Sequence, residues 1–371
     1  MEKTKQALLR HLNWILLGCA LALFTVGEIN LVSASGARLD AGFAQAGFYE
    51  RQLIWGLIGL CCMTLTICFD YHKLLRFSWY LYGITLFLLI LVPLIGTTVY
   101  GAKRWISVGA FSIQPSEVAK FALLLATAKF LSTRTETLGW KDFGLILLVA
   151  APPLGLILKQ PDLGSGLMLL FIVGGMVLFH GLKASILKVS ALALPCIGAF
   201  MWFVGMHDYQ RQRILTFLSP EADPLGSGYH ILQSRIAIGS GQLWGKGFAS
   251  GTQSQLRFLP ERHSDFALAV FGEEWGYVGC VVLICLFVVF MMSILTTIIQ
   301  SRDRFGTMLC VGVFFYFFAE ISINMGMVVG LMPVVGIPLP FISYGGSATI
   351  VNFTLIGLVL GISMRRKKLH L

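Results

Sequence analysis

The densest group of ionisable residues lies between positions 259 and 276, where LPERHSDFALAVFGEEWG leads into a long apolar run. Carboxylates transfer protons, and arginine side chains stabilise developing negative charge. Asp265 or Ser264 could instead cap the helix that begins here. Capping alone does not account for so much charge beside an apolar helix, so this segment is the first candidate for a chemical site. Its charged and titratable members are Glu261, Arg262, His263 and Asp265, followed about two helical turns later by Glu273 and Glu274.

A second group of charged residues occupies positions 101–120, GAKRWISVGAFSIQPSEVAK. Pro115 suits the first turn of a helix, and Glu117 and Lys120 then follow at i and i+3 on one face. This spacing predicts an ion pair. The pair either makes the helix tolerable in lipid, in which case reversing both charges should restore function, or lines a cavity for substrate.

Two further segments combine polar residues with turn formers. KQPDLGSG, residues 159–166, places Asp162 before an apolar run, where it either caps a helix or contributes to a site. PVVGIPLPFISYGGS, residues 333–347, has three prolines and three glycines. We predict a broken or re-entrant backbone there, tolerated only where protein or a water-filled cavity shields it. Nearby, Glu320 and Asn324 are one helical turn apart, which favours interhelical hydrogen bonds rather than chemistry.

The elements that position these groups are apolar runs long enough to cross a bilayer. Of 371 residues, 56% are hydrophobic and 12% charged, against about 25% charged in soluble domains. A soluble fold is thereby excluded, and we predict an all-α polytopic membrane protein. With about 20 mostly apolar residues per span, the predicted spans cover residues 12–34, 52–69, 74–96, 115–132, 142–158, 164–180, 185–205, 266–299, 305–330 and 344–364.

The distribution of lysine and arginine predicts the orientation of these ten spans. With the N-terminus in the cytoplasm, sixteen Lys and Arg residues fall on the inner side and five in the short outer loops, as the positive-inside rule requires. We therefore expect both termini in the cytoplasm and one large extracytoplasmic loop, residues 206–265, between spans 7 and 8. Residues 229–238 of this loop are expected to form a short helix. The chain, residues 1–371, is expected to be a single membrane domain.

Several catalytic and binding motifs are absent from the sequence. There is no P-loop, and the glycines of residues 239–247 do not lie between a strand and a helix as a nucleotide-binding loop would. HExxH, GxSxG and paired CxxC motifs are also missing, and all eight cysteines lie in apolar runs. The energy for any reaction must therefore come from the substrate or from a gradient, which disfavours a nucleotide-driven pump.

Six motifs resemble the SEDS family, the RodA/FtsW/SpoVE polytopic peptidoglycan polymerases. They are GAKRWI at 101–106, QPSEVAK at 114–120, QPDLGS at 160–165, GKGFASGTQSQLRFLPERHSDF at 245–266, FGEEWG at 271–276 and PLPFISYGGS at 338–347. The fourth motif and the short termini look like the elongation-type member, RodA, rather than the division-type FtsW. The resemblance covers nearly the whole chain; one small departure is Ser264, where the family frequently has threonine.

The resemblance implies a ten-span glycosyltransferase that polymerises lipid II at the outer face of the bacterial cytoplasmic (inner) membrane during cell elongation and rod-shape maintenance. It implies a class B penicillin-binding protein as crosslinking partner, with other elongation-complex proteins and without nucleic acid. It further implies that the acid of the family's H-[ST]-D-F motif is catalytic. That acid is Asp265 in this chain.

This chemistry needs a base and stabilisation of a leaving group. As an acceptor sugar hydroxyl attacks the anomeric carbon of the donor, Asp265 could accept its proton in one inverting displacement. Arg104 and Arg213 are the preferred cations for the departing lipid diphosphate, and Mg²⁺ or Mn²⁺ is the alternative. Trp105 either packs against substrate or anchors the chain at the membrane interface. The expected substrate-binding residues are Lys103, Arg104, Trp105, Glu117, Lys120, Gln160, Asp162, Arg213, Arg262, His263 and Ser343.

Two alternatives remain open from the sequence alone. In a lipid II flippase, Glu117, Lys120 and Asp162 would line a path through the bundle. The strongest clusters lie at its outer end instead, which favours the enzyme. A scaffold that only positions the penicillin-binding protein would keep its activity in cells without the carboxylate of Asp265.

Overall fold

The computed structural model shows a helical bundle and describes residues 11–35, 47–99, 102–108, 111–206, 208–219, 227–256, 258–259 and 261–365. In these ranges the long helices are α1 Trp14–Ala34, α2 Phe48–Cys68, α3 Tyr71–Ile95, α4 Pro115–Ser132, α5 Trp140–Lys159, α6 Leu163–His180, α7 Ala184–Phe200, α11 Ala267–Gln300, α12 Arg304–Val328 and α13 Gly346–Met364. A π-helical turn, Met201–Gly205, extends α7. Three short helices follow it: α8 Asp208–Leu218, α9 Ser227–Ser240 and α10 Thr252–Gln255. The predicted helix over 229–238 lies within α9.

Hydrogen bonds between helix ends show that the long helices alternate in direction. The backbone N–H of Asn13 donates to Ser363 Oγ at 3.2 Å, and its side-chain amide donates to the Ser293 carbonyl at 2.9 Å. Arg304 Nη1 donates to the Arg134 carbonyl at 3.0 Å. These contacts place both ends of the described chain at one end of the bundle, the termini end. The opposite end, which carries α8 to α10, is called the loop end.

Helix α4 differs from the other long helices. Nine described helices are long and apolar enough to cross a membrane, whereas α4, although 18 residues long, is not among them because it includes the charged residues Glu117, Lys120 and Lys129. It packs against α3, α6 and α12, and most of its side chains are buried. The predicted span 115–132 is therefore a charged helix enclosed by apolar ones, which keeps its ionisable groups out of lipid.

Helix α11 is divided by a kink that the sequence prediction of one continuous span over 266–299 missed. Gly276 has φ 64° and ψ −164°, values that separate a first part, in which Ala267 to Glu274 are all buried, from the longer part that follows. A β-carbon at position 276 would lie 2.3 Å from the backbone nitrogen of Gly245. Only glycine fits both the left-handed conformation and this close approach, so the kink forms where the loop-end segment 241–247 packs on α11.

A small antiparallel sheet at the loop end is the exception to the predicted all-α fold. Strands β1 Thr97–Val99, β2 Ala102–Val108 and β3 Phe111–Ile113 are arranged in the order β1-β2-β3, with Trp105 opposite Thr97 and Ile106 opposite Ile113. Polar and apolar residues alternate at several positions of β2, as in a strand with one exposed face. The sheet leads directly into α4.

The predicted re-entrant segment lies between α12 and α13. It contains no regular helix from residue 331 to residue 345, yet several of its side chains are buried, including Ile337, Leu339 and Phe341. Surrounding helices enclose this irregular backbone, and Phe341 packs among the rings of Phe290, Phe317 and Phe353. This agrees with the prediction that protein shields it.

Candidate active site

Asp265 lies in the turn that precedes α11. The cap residue of α11 is Phe266, and no side chain caps this helix end. Ser264 Oγ instead donates to the Glu261 carboxylate at 3.0 Å. The capping alternatives for Asp265 and Ser264 are therefore wrong. Glu261 has φ 47°, a left-handed conformation that costs a non-glycine residue free energy and that is common at functional sites.

One amide group ties the Asp265 turn to the re-entrant segment. Asn324 Nδ2, in α12, donates to the carbonyl of Asp265 at 3.0 Å and to that of Ile337 at 2.7 Å. Asn324 therefore makes structural hydrogen bonds, but its acceptors lie in a turn and in the re-entrant segment rather than in another helix as predicted, and its bonds hold the backbone of Asp265. The turn and residues 333–347 consequently form one unit.

The carboxylate of Asp265 is partly enclosed but remains available. Its Oδ2 lies 3.6 Å from the position of a β-carbon on Gly336, whose φ is 77°. Within the described ranges, no side chain or backbone group donates a hydrogen bond to this carboxylate. Burial, and secondarily the charge of Glu261, raise the pKa of Asp265 to about 6, while Arg213 opposes the shift. Asp265 is therefore ionised at neutral pH yet basic enough to accept a proton.

Two predicted cations flank this turn. Arg213, in α8, donates from Nη1 to the Val334 carbonyl at 3.1 Å and is near enough to Asp265 to lower its pKa. Arg262 donates from Nη1 to the Ser254 carbonyl. Both guanidinium groups thus lie at the loop end, one docked on the re-entrant segment and one on α10. A guanidinium has five donors and can bond to more than one acceptor at once.

His263 joins the turn to α2 and α13. Its ring stacks on Phe48 with a centroid distance of 4.4 Å, and its carbonyl accepts from the Tyr344 N–H at 2.8 Å. Burial lowers the pKa of His263, with Glu261 opposing and Arg262 reinforcing the shift. The imidazole is therefore neutral at pH 7, and its contacts position the backbone beside Asp265.

Arg104 and Gln160 hold the chain before α6. Arg104 donates from Nε to the Gln160 carbonyl at 3.1 Å and from Nη2 to the Pro161 carbonyl at 2.5 Å. The Gln160 amide donates to the Leu89 carbonyl at 3.0 Å. Arg104 and Gln160 therefore connect β2, α3 and the start of α6. The described contacts of Arg104 are to this backbone, and its role as a partner of Arg213 stays a prediction.

Asp162 both caps a helix and organises polar neighbours. It accepts from the Ser165 N–H at 3.1 Å, which confirms the predicted cap of α6. Its other oxygen accepts from Ser116 Oγ and from the Gln114 amide, both at 3.3 Å. The backbone N–H of Gln114 in turn donates to Ser347 Oγ at 3.2 Å. Hydrogen bonds therefore link Asp162 to the C-terminal edge of the re-entrant segment.

Glu117 and Lys120 form the predicted ion pair, with a third member that the sequence did not reveal. Lys120 Nζ lies 2.8 Å from Glu117 Oε2 and 3.2 Å from Glu320 Oε1. It also lies 5.1 Å from the ring centroid of Tyr316. Lys120 is only 2% exposed and Glu320 is fully buried. The predicted interhelical bond of Glu320 is thus confirmed, and its partner is Lys120 in α4.

Three predicted residues lie apart from the Asp265 turn or make structural bonds. Lys103 is exposed on β2 and donates to the Pro93 carbonyl at 3.4 Å. Trp105, two residues further along the strand, is half-buried. Ser343 is buried, and its hydroxyl accepts from the Leu339 N–H at 2.9 Å, which closes a turn. A structural role therefore accounts for the described bond of the Ser343 hydroxyl.

Gln52 is a site-supporting residue that sequence reasoning missed. From α2, its amide donates to Thr349 Oγ1 at 2.9 Å, and its carbonyl oxygen accepts from the Gly345 N–H at 3.2 Å. It thereby fastens the last turn of the re-entrant segment to α2 and α13. The only available signal was one buried amide in an apolar span.

The side chains present do not form a resident metal centre. Within the residues that the structure describes, no three His, Cys, Asp or Glu side chains are grouped so that they could hold a metal ion. Glu261 and Asp265 are close enough to interact electrostatically, and Glu261 already accepts a hydrogen bond from Ser264. The divalent cation therefore stays a prediction.

Comparison with known proteins places the chain in a family. The family model FTSW_RODA_SPOVE, described as cell cycle protein, matches residues 13–368. The chain belongs to this family. The resemblance seen in the six motifs is thereby confirmed, and the match extends over all ten long helices.

Individual relatives match nearly the whole chain. Peptidoglycan glycosyltransferase MrdB of Escherichia coli (strain K12) is 40% identical over 360 residues, which cover 97% of this chain and 95% of the relative. Probable peptidoglycan glycosyltransferase FtsW of Trichlorobacter lovleyi is 35% identical over 365 residues, which cover 96% and 94%. Identity to this FtsW relative is lower than to MrdB.

Solved structures share the fold. A chain from a structure described as structural coordination of polymerization and crosslinking by a peptidoglycan synthase complex has a TM-score of 0.81 at 31% identity, covering 96% of this chain and 99% of that one. The crystal structure of an aspartate-to-alanine mutant of Thermus thermophilus rod shape determining protein RodA has a TM-score of 0.71 at 29% identity, with the same coverage. The predicted resemblance to RodA is therefore confirmed.

Proposed function

We propose that this protein is a peptidoglycan glycosyltransferase that polymerises lipid II, with Asp265 as the general base. The observation that carries the proposal is the Asp265 carboxylate. It is held at the loop end by its backbone, free of hydrogen-bond donors within the described ranges, and raised in pKa to about 6. The family membership of this protein and the names of its relatives support the same activity.

In the proposed reaction, Asp265 accepts the proton of an acceptor sugar hydroxyl as its oxygen attacks the anomeric carbon of the donor. The bond between that carbon and the lipid diphosphate breaks, and the configuration inverts. Arg213 and Arg262 stabilise the negative charge that the diphosphate gains, since guanidinium groups pair well with phosphate oxygens. The donor carries its own leaving group, so the chemistry requires no nucleotide.

The flippase alternative has less support. Lys120 is bonded to Glu117 and Glu320, and Asp162 to a helix end and its polar neighbours. The residues that would line a translocation path are thus engaged in ion pairs and hydrogen bonds within the bundle. The partly exposed chemical groups lie around Asp265 at the loop end.

We further propose that the protein works in the bacterial cytoplasmic membrane beside a class B penicillin-binding protein that crosslinks the strands. The related structure from a peptidoglycan synthase complex supports a synthase partner. Both ends of the described chain lie at the termini end, and the excess of lysine and arginine favours that end as the cytoplasmic one. The loop end, with Asp265, then faces outward, where lipid II presents its sugars.

The test is polymerisation of labelled lipid II by the purified protein, reconstituted with its partner. We expect glycan strands from the wild type and a loss of more than about a hundredfold with Asp265→Asn, which keeps the shape but not the base. Asp208→Asn, in the exposed part of α8, is the matched control and should retain activity. Equal strand formation by wild type and Asp265→Asn would show that the base is assigned wrongly. Lipid movement without polymerisation would favour the flippase.

A further inference from the structure

A second carboxylate near Asp265 has a role that the reaction described above does not assign. Glu273 lies in the first part of α11, eight residues after Asp265, and is fully buried. Its two oxygens accept hydrogen bonds from one short stretch of the loop end. The donors are Lys246 Nζ at 2.7 Å, Gln253 N at 3.0 Å, Thr252 Oγ1 at 3.2 Å, Ser254 N at 3.4 Å and Ser240 Oγ at 3.5 Å.

This arrangement lets one anion organise the backbone around α10. Helix α10 has four residues, too few to be stable without outside contacts. Glu273 accepts from two of its backbone N–H groups, and Lys246 neutralises the buried charge. Because a buried carboxylate must be paired and hydrogen-bonded, α10 and Glu273 depend on each other.

Helix α10 in turn holds Arg262. Ser254 donates its N–H to Glu273, and its carbonyl accepts a hydrogen bond from Arg262 Nη1. Two hydrogen bonds therefore connect the buried carboxylate to the guanidinium three residues before Asp265. An arginine side chain has many rotamers, and fixing one of them in advance favours a transition state that needs a cation at one point.

We propose that Glu273 is a positioning residue that acts through α10 to hold Arg262 beside the reaction centre. The inference rests on the proposed function, because Arg262 matters only where an anionic leaving group departs. The neighbouring Glu274 provides a matched comparison. Its carboxylate accepts from Ser33 Oγ in α1 and from the backbone N–H groups of Ala249 and Gly251, just before α10, but not from the N–H of Ser254, so it lacks this connection to Arg262.

A double-mutant cycle tests the connection. Glu273→Gln and Arg262→Lys should each lower kcat for lipid II polymerisation about tenfold or more, with smaller changes in KM. Together they should lower it no further than the stronger single change, because residues that act in one chain are not additive. For Glu274→Gln combined with Arg262→Lys, the fold-losses of kcat of the two single variants should instead multiply. Melting temperatures, measured for every variant, separate these effects from unfolding.

A second measurement does not depend on activity. Trypsin cleavage after Arg262, followed by mass spectrometry on the intact complex, should rise several-fold in Glu273→Gln and stay at the wild-type level in Glu274→Gln. Lys246→Met removes the same ion pair from its half-exposed side and should give the same rise in cleavage. This variant replaces Glu273→Gln in the test if Glu273→Gln does not fold. Multiplicative loss in the Glu273/Arg262 cycle, or unchanged cleavage, would overturn this inference. Retained polymerisation by Asp265→Asn would overturn only the base assignment.

Discussion

Lowering the pH tests Asp265 directly, because the structure predicts where the base loses its function. Burial raises the pKa of Asp265 from 3.8 to about 6, with Glu261 adding to the shift and Arg213 opposing it. A base acts in its ionised form, so kcat/KM should be nearly constant above about pH 7 and fall about tenfold between pH 7 and pH 5. Over that interval the ionised fraction of Asp265 drops from about 90% to about 10%.

Glu261→Gln isolates the electrostatic part of this prediction. It removes a negative charge that repels the ionised Asp265 while keeping the volume of the side chain and an acceptor for Ser264. The pKa of Asp265 should fall, so the acid limb should move to lower pH and the activity at pH 5, relative to pH 7, should rise.

The assay is the initial rate of strand formation from labelled lipid II by the reconstituted complex between pH 4.5 and pH 8 at constant ionic strength. Melting temperatures at each pH exclude unfolding as the cause of a falling rate. Asp208→Asn serves as the control because this exposed acid should leave the profile unchanged. A flat wild-type profile from pH 5 to pH 8, or an acid limb that Glu261→Gln does not move, would refute the reasoning.

Three further predictions concern stability. The folded protein binds the Asp265 proton more tightly than the unfolded chain, so stability falls as pH rises from about 4 to 6. At pH 7 the inactive Asp265→Asn variant should therefore have the larger free energy of unfolding, by on the order of 3 kcal/mol at most, and a higher melting temperature. Lys120→Ala leaves Glu117 and Glu320 buried without their cation and should lower the free energy of unfolding by about 3–5 kcal/mol. The double variant that exchanges residues 117 and 120 should not recover wild-type stability, because its new glutamate would face Glu320. Full wild-type stability of that double variant would contradict the three-residue cluster. Asn324→Ala removes both carbonyl contacts and should cost about 1–3 kcal/mol, with a larger loss of kcat than Ser363→Ala, whose hydroxyl bonds at the termini end.

The structure changes what is expected from exchanging the charges of Glu117 and Lys120. The i, i+3 spacing of Glu117 and Lys120 predicts a pair, and a pair can be reversed. Glu320 lies 200 residues away from Lys120 in sequence and contacts the same ammonium group. Since both carboxylates share one lysine, reversing two of three charges places like charges together.

Much of the molecule was predictable from local sequence, because lipid imposes a strong constraint on each segment separately. Ten apolar runs predicted ten long helices, Asp162 predicted the cap of α6, and the prolines and glycines of residues 333–347 predicted an irregular, shielded backbone. The segment LPERHSDF predicted Asp265 as the candidate base, and that role stays a prediction. The strands of residues 97–113 were missed because three short strands carry a weak periodic signal beside such apolar helices.

Only the tertiary structure decided which polar groups meet. The Asn324 amide bonds to Asp265, the Arg213 guanidinium to the re-entrant segment, and the Glu273 carboxylate to α10, across sequence distances of 19 to 121 residues. Apolar runs predict membrane-spanning helices one segment at a time, because each residue of a span lies in the same apolar surroundings. Hydrogen bonds and ion pairs are directional and short-ranged, so their partners are determined by how the helices pack.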